Sequence, residues 1–173
     1  MAASRRSIPP KYRLLILIVG LGVILDQLSK AVISQALPRY ATVPVIPGCF
    51  NLVHVHNRGA AFGLLANWSE AYTSLFFIFT TLIVLAVLGY LFFRLAGDDY
   101  RAAAGYSLIM AGALGNLIDR LRLGEVIDFL DFYVGRYHWP AFNVADSMIC
   151  LGAGLLFLVI WRAERHEDVS HLA

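Results

Sequence analysis

Between Ala71 and Phe93 the chain runs for 23 residues without a charged side chain. As a helix rising 1.5 Å per residue, that run measures about 34 Å, enough to cross a hydrocarbon layer about 30 Å thick. In lipid, a segment of this kind must satisfy its backbone amides internally, so it reads as a transmembrane helix. The composition agrees, with 59% hydrophobic and 15% charged residues, where soluble domains are about half apolar and about a quarter charged. The net charge of +2 is small, and no basic stripe interleaved with aromatics appears, which argues against a nucleic-acid partner. Cys49 and Cys150 lie far apart and no C-x-x-C occurs, so neither a disulfide framework nor a redox relay is expected.

Three other segments have helical character. Arg5, Arg6, Lys11 and Arg13 precede an apolar run from Leu14, which imitates a signal peptide. No small-residue cleavage site follows; the sequence continues Asp26-Gln27-Leu28-Ser29-Lys30, so a retained first helix over about 14–36 is expected. The others are expected at about 102–121, where Ala111 and Gly115 have a small-xxx-small spacing suited to close helix approach, and at about 141–161. The segment 37–68 reads as extramembrane, with short strands either side of the Pro47-Gly48 turn. Residues 122–140 read as a second outer loop with Tyr133, Tyr137 and Trp139 as interfacial aromatics. The expected architecture is an all-α polytopic membrane protein: four transmembrane helices and a small extracytoplasmic β-structured cradle, one membrane domain over 1–173. Four crossings put both termini on one side, and the excess of Lys and Arg there makes that side cytoplasmic.

Ionisable groups beside hydrocarbon are costly and mark functional positions. Asp26 and Lys30 are spaced four apart on the first helix, as an ion pair that orients it. Asp119, Asp128, Asp131 and Asp146 all fall between Gly112 and Asp146, and the chemistry of carboxylates does not choose among them. Asp119, with Asn116 and Arg120, reads as a helix end tied down by polar contacts. His54 and His56 share one strand face, but a metal site needs more ligands, so no metal or other cofactor is expected. Ser29 and Lys30 are adjacent and point about 100° apart on a helix, a poor Ser–Lys dyad. No H-E-x-x-H motif is present.

Five motifs in order complete the picture: Asp26-Gln27-x-x-Lys30; Asn57-x-Gly59-Ala60-Ala61-Phe62-Gly63; Gly115-Asn116-x-x-Asp119-Arg120; Gly124-x-Val126-x-Asp128-Phe129; and Phe142-Asn143-x-Ala145-Asp146. In these the chain resembles the lipoprotein signal peptidases (signal peptidase II), bacterial inner-membrane aspartyl peptidases, over nearly its whole length between the tails. The resemblance implies cleavage of prolipoproteins before a diacylglyceryl-modified cysteine. It implies a catalytic dyad of Asp128 and Asp146, with Asn57, Gly59, Asn116, Arg120 and Asn143 shaping the site and the substrate path. Asp26, Lys30 and Asp119 support it, and Asp131 has no assigned role. The expected setting is a monomer among membrane lipids, with its site towards the outer face. The rival from another class is a small proton-coupled transporter, whose site would lie nearer the bilayer midplane.

Overall fold

The computed structural model describes residues 8–59 and 70–170; the Ala60-Ala61-Phe62-Gly63 part of the second motif lies outside them. In chain order the elements are α1 (Pro10–Ala36), β1 (Thr42–Ile46), β2 (Phe50–Asn57), α2 (Glu70–Arg94), α3 (Tyr100–Leu123), β3 (Val126–Val134), β4 (Tyr137–His138) and α4 (Val144–Ser170). α1, α2 and α4 are long and apolar enough to cross a membrane. α1 begins at Pro10, ahead of the apolar run, because proline suits a first turn whose N–H groups have no helical partner. Lys11 is buried there, and its Nζ donates to the carbonyl oxygens of Phe92, Phe93 and Leu95 at 3.4, 3.3 and 2.6 Å. The end of α2 is thereby capped by a cation on α1.

α3 is built differently. It carries Arg101, Asp119, Arg120 and Arg122, and it packs most extensively on α4 and then α1. Glycine makes the approach close. A Cβ on Gly112 would lie 2.2 Å from the Ala145 carbonyl oxygen, and one on Gly152 would lie 2.7 Å from that of Gly105. The expected small-residue stripe is present, but its two members do different work. Ala111 is fully buried, whereas Gly115 makes room for a carboxylate: a Cβ there would sit 2.5 Å from Asp26 Oδ2.

The strands form one antiparallel sheet in the order β1-β2-β3-β4. Here the reading of 122–140 as a loop needs correction, because most of it is strand. Gly124 ends α3 in the left-handed region, φ 75°, with its N–H bonded to the Arg120 carbonyl at 3.0 Å. The following Val-Ile-Asp-Phe-Leu-Asp-Phe-Tyr-Val is dense in β-branched and aromatic residues and pairs with β2, Val55 opposite Asp128 and Asn57 opposite Val126. Asp128 and Asp131 are three apart, so they face opposite sides of the strand. Past β4, Leu130 and Phe142 form a β-bridge, with N–H···O distances of 2.8 and 3.0 Å in the two directions. That bridge occupies the stretch expected to open the fourth helix and delays α4 to Val144. It also brings Asn143 and the first turn of α4 against β3.

Candidate active site

Asp128 lies on β3 and is 2% exposed. Asn57, at the end of β2, donates from Nδ2 to Asp128 Oδ2 at 2.9 Å. Asn143 donates to its other oxygen, Nδ2 to Oδ1, at 2.7 Å. Asp146 sits in the first turn of α4, where it and Asn143 cap each other. The Asp146 N–H donates to Asn143 Oδ1 at 3.0 Å, and the Asn143 N–H donates to Asp146 Oδ2 at 3.2 Å. This is the reciprocal arrangement of a capping box, built from asparagine and aspartate. Asn143 therefore touches both acids. A fully buried side chain, locked by three acceptors and a cap, holds the two carboxylates in one relation.

Asn116 on α3 links this pair to a charged cluster. Its Nδ2 donates to Asp146 Oδ1 at 2.8 Å while its Oδ1 accepts from Lys30 Nζ at 3.0 Å. Lys30 also lies 2.8 Å from Asp26 Oδ2 and 2.8 Å from Asp119 Oδ2, so its three protons have three acceptors. Asp26 in turn accepts from the Ala145 N–H at 2.9 Å, and Asp119 from the Ile127 N–H at 3.2 Å. The expected Asp26–Lys30 pair is thus one side of a buried triad that ties α1, α3, α4 and β3 together. Asp119 belongs to the triad and not to the pair of acids. Ser29 donates its hydroxyl to the Asp26 carbonyl at 2.8 Å, a local helix contact.

Arg120 places its guanidinium 5.1 Å over the Phe77 ring and within electrostatic range of Asp146, Asp128 and Asp119. Asp131 is on the other face of the sheet. It accepts from Asn51 Nδ2 at 2.8 Å and lies 2.9 Å from His138 Nδ1, which knits β2, β3 and β4. His54 and His56 do share a face, ring nitrogens 3.1 Å apart. Among the described residues no group of three or more His, Cys, Asp or Glu is arranged to hold a metal. Cys49 and Cys150 are free thiols.

Two residues with several polar contacts near the site, Gln27 and Glu125, were not singled out by the sequence reading. Gln27 braces the triad from Nε2, 2.9 Å from Asp119 Oδ1 and 3.2 Å from Asp26 Oδ2. Its place inside the first motif was the available signal. Glu125 stands at the unspecified position of Gly124-x-Val126, so no motif pointed to it.

Gly59 is needed for two separate reasons. Its φ of +87° favours glycine, and a Cβ there would lie 2.1 Å from Phe77 Cε2. Its N–H donates to Asn57 Oδ1 at 2.7 Å, which turns the Asn57 NH₂ group towards Asp128. Gly59→Ala is therefore expected to lower turnover roughly 10- to 100-fold and to cost stability, about 1 kcal/mol for the strained φ and more because the Phe77 ring must shift. Single-turnover rates normalised to folded protein check this; an unchanged rate would detach Asn57 from the site.

Burial is the main influence on the Asp128 carboxyl and disfavours its charge. The Asn57 hydrogen bond opposes this and the negative charge of Asp146 adds to it, so the acid is pushed up to about 7. A cavity of about 350 Å³ opens over Asp128, lined among others by Val55, Asn57, Pro140 and Ala141. A buried acid that retains a proton near neutrality, coupled through one asparagine to a second carboxylate, can deliver and accept protons at a single reacting centre.

Membrane-length helices beside a site of this chemistry suit a membrane-embedded aspartic peptidase. Comparison with known proteins agrees. The model of the Signal peptidase (SPase) II family matches residues 18–162. The lipoprotein signal peptidase of Geobacter metallireducens is 46% identical over 159 residues, covering 92% of this chain and 97% of that one. Its counterpart in Geobacter sulfurreducens is 49% identical, covering 91% and 98%. A bacterial membrane enzyme structure determined by the in meso method at 2.3 Å resolution superposes with a TM-score of 0.76 at 36% identity, covering 86% of this chain and 87% of that one. The chain belongs to the signal peptidase II family.

Proposed function

We propose that this membrane peptidase removes signal peptides from prolipoproteins by cutting before a diacylglyceryl-modified cysteine, with Asp128 and Asp146 as its catalytic pair. The observation that carries the reading is the shared asparagine: Asn143 contacts both carboxyl groups, and Asp128 is the member inclined to hold a proton. One carboxylate takes a proton from water as it attacks the scissile carbonyl. The other hydrogen-bonds the developing oxyanion and then protonates the departing amine. Asn57, Gly59, Asn116 and Asn143 hold the pair in register, and Arg120 faces the substrate path. Asp26, Lys30 and Asp119 anchor the frame.

In the membrane, α3 is the fourth crossing, shielded by its neighbours and so free to carry more polar residues. Even crossings put both termini on one side, which the excess of Lys and Arg makes cytoplasmic, and so the sheet with the acid pair lies on the outer side of the inner membrane. A site at that interface suits a substrate whose lipid stays in the bilayer while its peptide reaches water. The enzyme works as a monomer among membrane lipids. A proton-coupled transporter is not favoured, because both acids are used at one end of the bundle, between the sheet and the first turn of α4.

The test is incubation of purified protein with a diacylglyceryl-modified prolipoprotein, read as a size shift, against the same precursor without its lipid. Cleavage of the unlipidated precursor at equal rate would overturn the substrate assignment. The same assay across pH carries a second expectation. The working pair holds one proton, and Asp128 carries it below about 7. The rate should therefore be sustained just below that value and fall about tenfold per unit as pH rises through it. A rate that climbs steadily to pH 9 would rule out the shared proton.

A further inference from the structure

Glu125 sits between the end of α3 and β3, and its side chain is 14% exposed. Three basic side chains converge on it. Arg39 Nη2 lies 2.6 Å from Oε2, His56 Nδ1 lies 2.8 Å from the same oxygen, and Arg58 Nε lies 2.7 Å from Oε1. Arg39 also touches His56 Nδ1 directly, and His54 meets His56 through its other ring nitrogen. Burial works against the charge of Glu125, yet the hydrogen bonds from Arg58 and His56 and the charge of Arg39 hold its carboxyl below its ordinary value. It is a carboxylate wherever the acid pair operates.

The position of these partners gives the cluster its meaning. His56 and Arg58 are the two chain neighbours of Asn57, so both flanks of Asn57 are pinned to a single carboxylate. The residue after Glu125, Val126, faces Asn57 in the β2–β3 ladder. Two residues further along is Asp128, the acceptor of the Asn57 amide at 2.9 Å. Asn57 is thus fixed from both sides and from below, at the end of a strand where the chain would otherwise be free to swing.

We propose that Glu125 is a positioning residue for peptide cleavage: through His56 and Arg58 it holds the Asn57 amide against Asp128. The inference rests on the Asp128–Asp146 reading of the site. It differs from a merely structural role in one respect. The Asn57 hydrogen bond favours the ionised form of Asp128, beside the charges of Asp146, Lys30 and Arg120. Loosening Asn57 must therefore move the pH at which the acid pair loses its shared proton.

The experiment compares Glu125→Gln, Glu125→Asp, Asn57→Ala and the Glu125→Gln/Asn57→Ala double variant, with Asp128→Asn alongside. Rates are measured across pH on lipid-modified precursor and normalised to folded protein. Glu125→Gln should lower kcat roughly tenfold with little change in KM, and shift the alkaline limb upward by about half a pH unit, the scale of one lost hydrogen bond. Asn57→Ala should shift the limb the same way, and the double variant should match Asn57→Ala alone, because Glu125 acts through Asn57. Glu125→Asp, which keeps the charge, should recover most of the rate. Wild-type kcat and limb in Glu125→Gln would overturn the proposal. So would a rate loss that tracks folded fraction with the limb unmoved, or losses that multiply in the double variant. Cleavage by Asp128→Asn would overturn the acid-pair reading itself and this inference with it; an inert Asp128→Asn beside an unaffected Glu125→Gln overturns the inference alone.

Discussion

Asp128→Asn and Asp146→Asn are each expected to reduce single-turnover cleavage by roughly 10³-fold or more, while lipid-modified precursor still binds. Asparagine preserves shape but cannot shuttle a proton. The geometry adds a cost that shape alone would hide. Both oxygens of Asp128 accept hydrogen bonds, one from Asn57 and one from Asn143. Both oxygens of Asp146 do likewise, from Asn116 and from the Asn143 N–H. An amide offers one acceptor and one donor, so in either variant one contact turns from attraction to opposed donors. A stability loss of about 1–2 kcal/mol should therefore accompany the loss of rate. Folded protein must be quantified in the same preparations. The double variant should cleave hardly less than either single one, because the two acids act as a unit. Rates that multiply down in the double variant would show two independent contributions, and appreciable cleavage by homogeneous Asp146→Asn would exclude the aspartyl pair. Asp131→Asn should keep substantial turnover, since its bonds to Asn51 and His138 lie on the other face of the sheet.

The contrast between Asp128 and Asp131 shows where the sequence could be read and where it could not. The helices were legible because hydrocarbon imposes length and polarity on a chain, and Ala71–Phe93 left no alternative. Strand β3 was hidden by its own aspartates. Two aspartates in a nine-residue run of valine, isoleucine, leucine, phenylalanine and tyrosine look like a polar loop until their spacing of three is taken as placement on opposite faces. The start of α4 was misplaced for a related reason. A β-bridge at Phe142 is a long-range pairing that no local pattern announces, and Asn143 as a cap became visible only once that bridge was seen. The Asp26–Lys30 pair could be read from a spacing of four, but its third member, Asp119, could not, because it arrives from α3 across a gap held open by Gly115. Glu125 was beyond reach altogether. What sets it apart is which residues it touches, not its surroundings along the chain.

The largest effect on stability is expected at Lys30. Its ammonium is 2% exposed and is the cation that Asp26 and Asp119 share, both of them buried. Lys30→Met fits the volume but leaves two carboxylates facing each other without compensation, a situation that typically costs about 3–5 kcal/mol. The backbone N–H groups of Ala145 and Ile127 remain to hydrogen-bond them, but neither carries a full charge. Folded yield in detergent should fall sharply and the thermal midpoint with it. Turnover of the surviving folded fraction should drop less, through Asn116, which loses Lys30 at Oδ1 but keeps Asn143 Nδ2 there and its own bond to Asp146. Removing the charges as a set provides the control: Asp26→Asn/Lys30→Met/Asp119→Asn should regain a large part of the lost stability, because what destabilises the single variant is the unpaired charge and not the missing contact. If the triple variant is no more stable than Lys30→Met, packing and not electrostatics explains the loss. If Lys30→Met folds normally and turns nothing over, Lys30 belongs to the chemistry, and the triad must be counted as part of the active site instead of its frame.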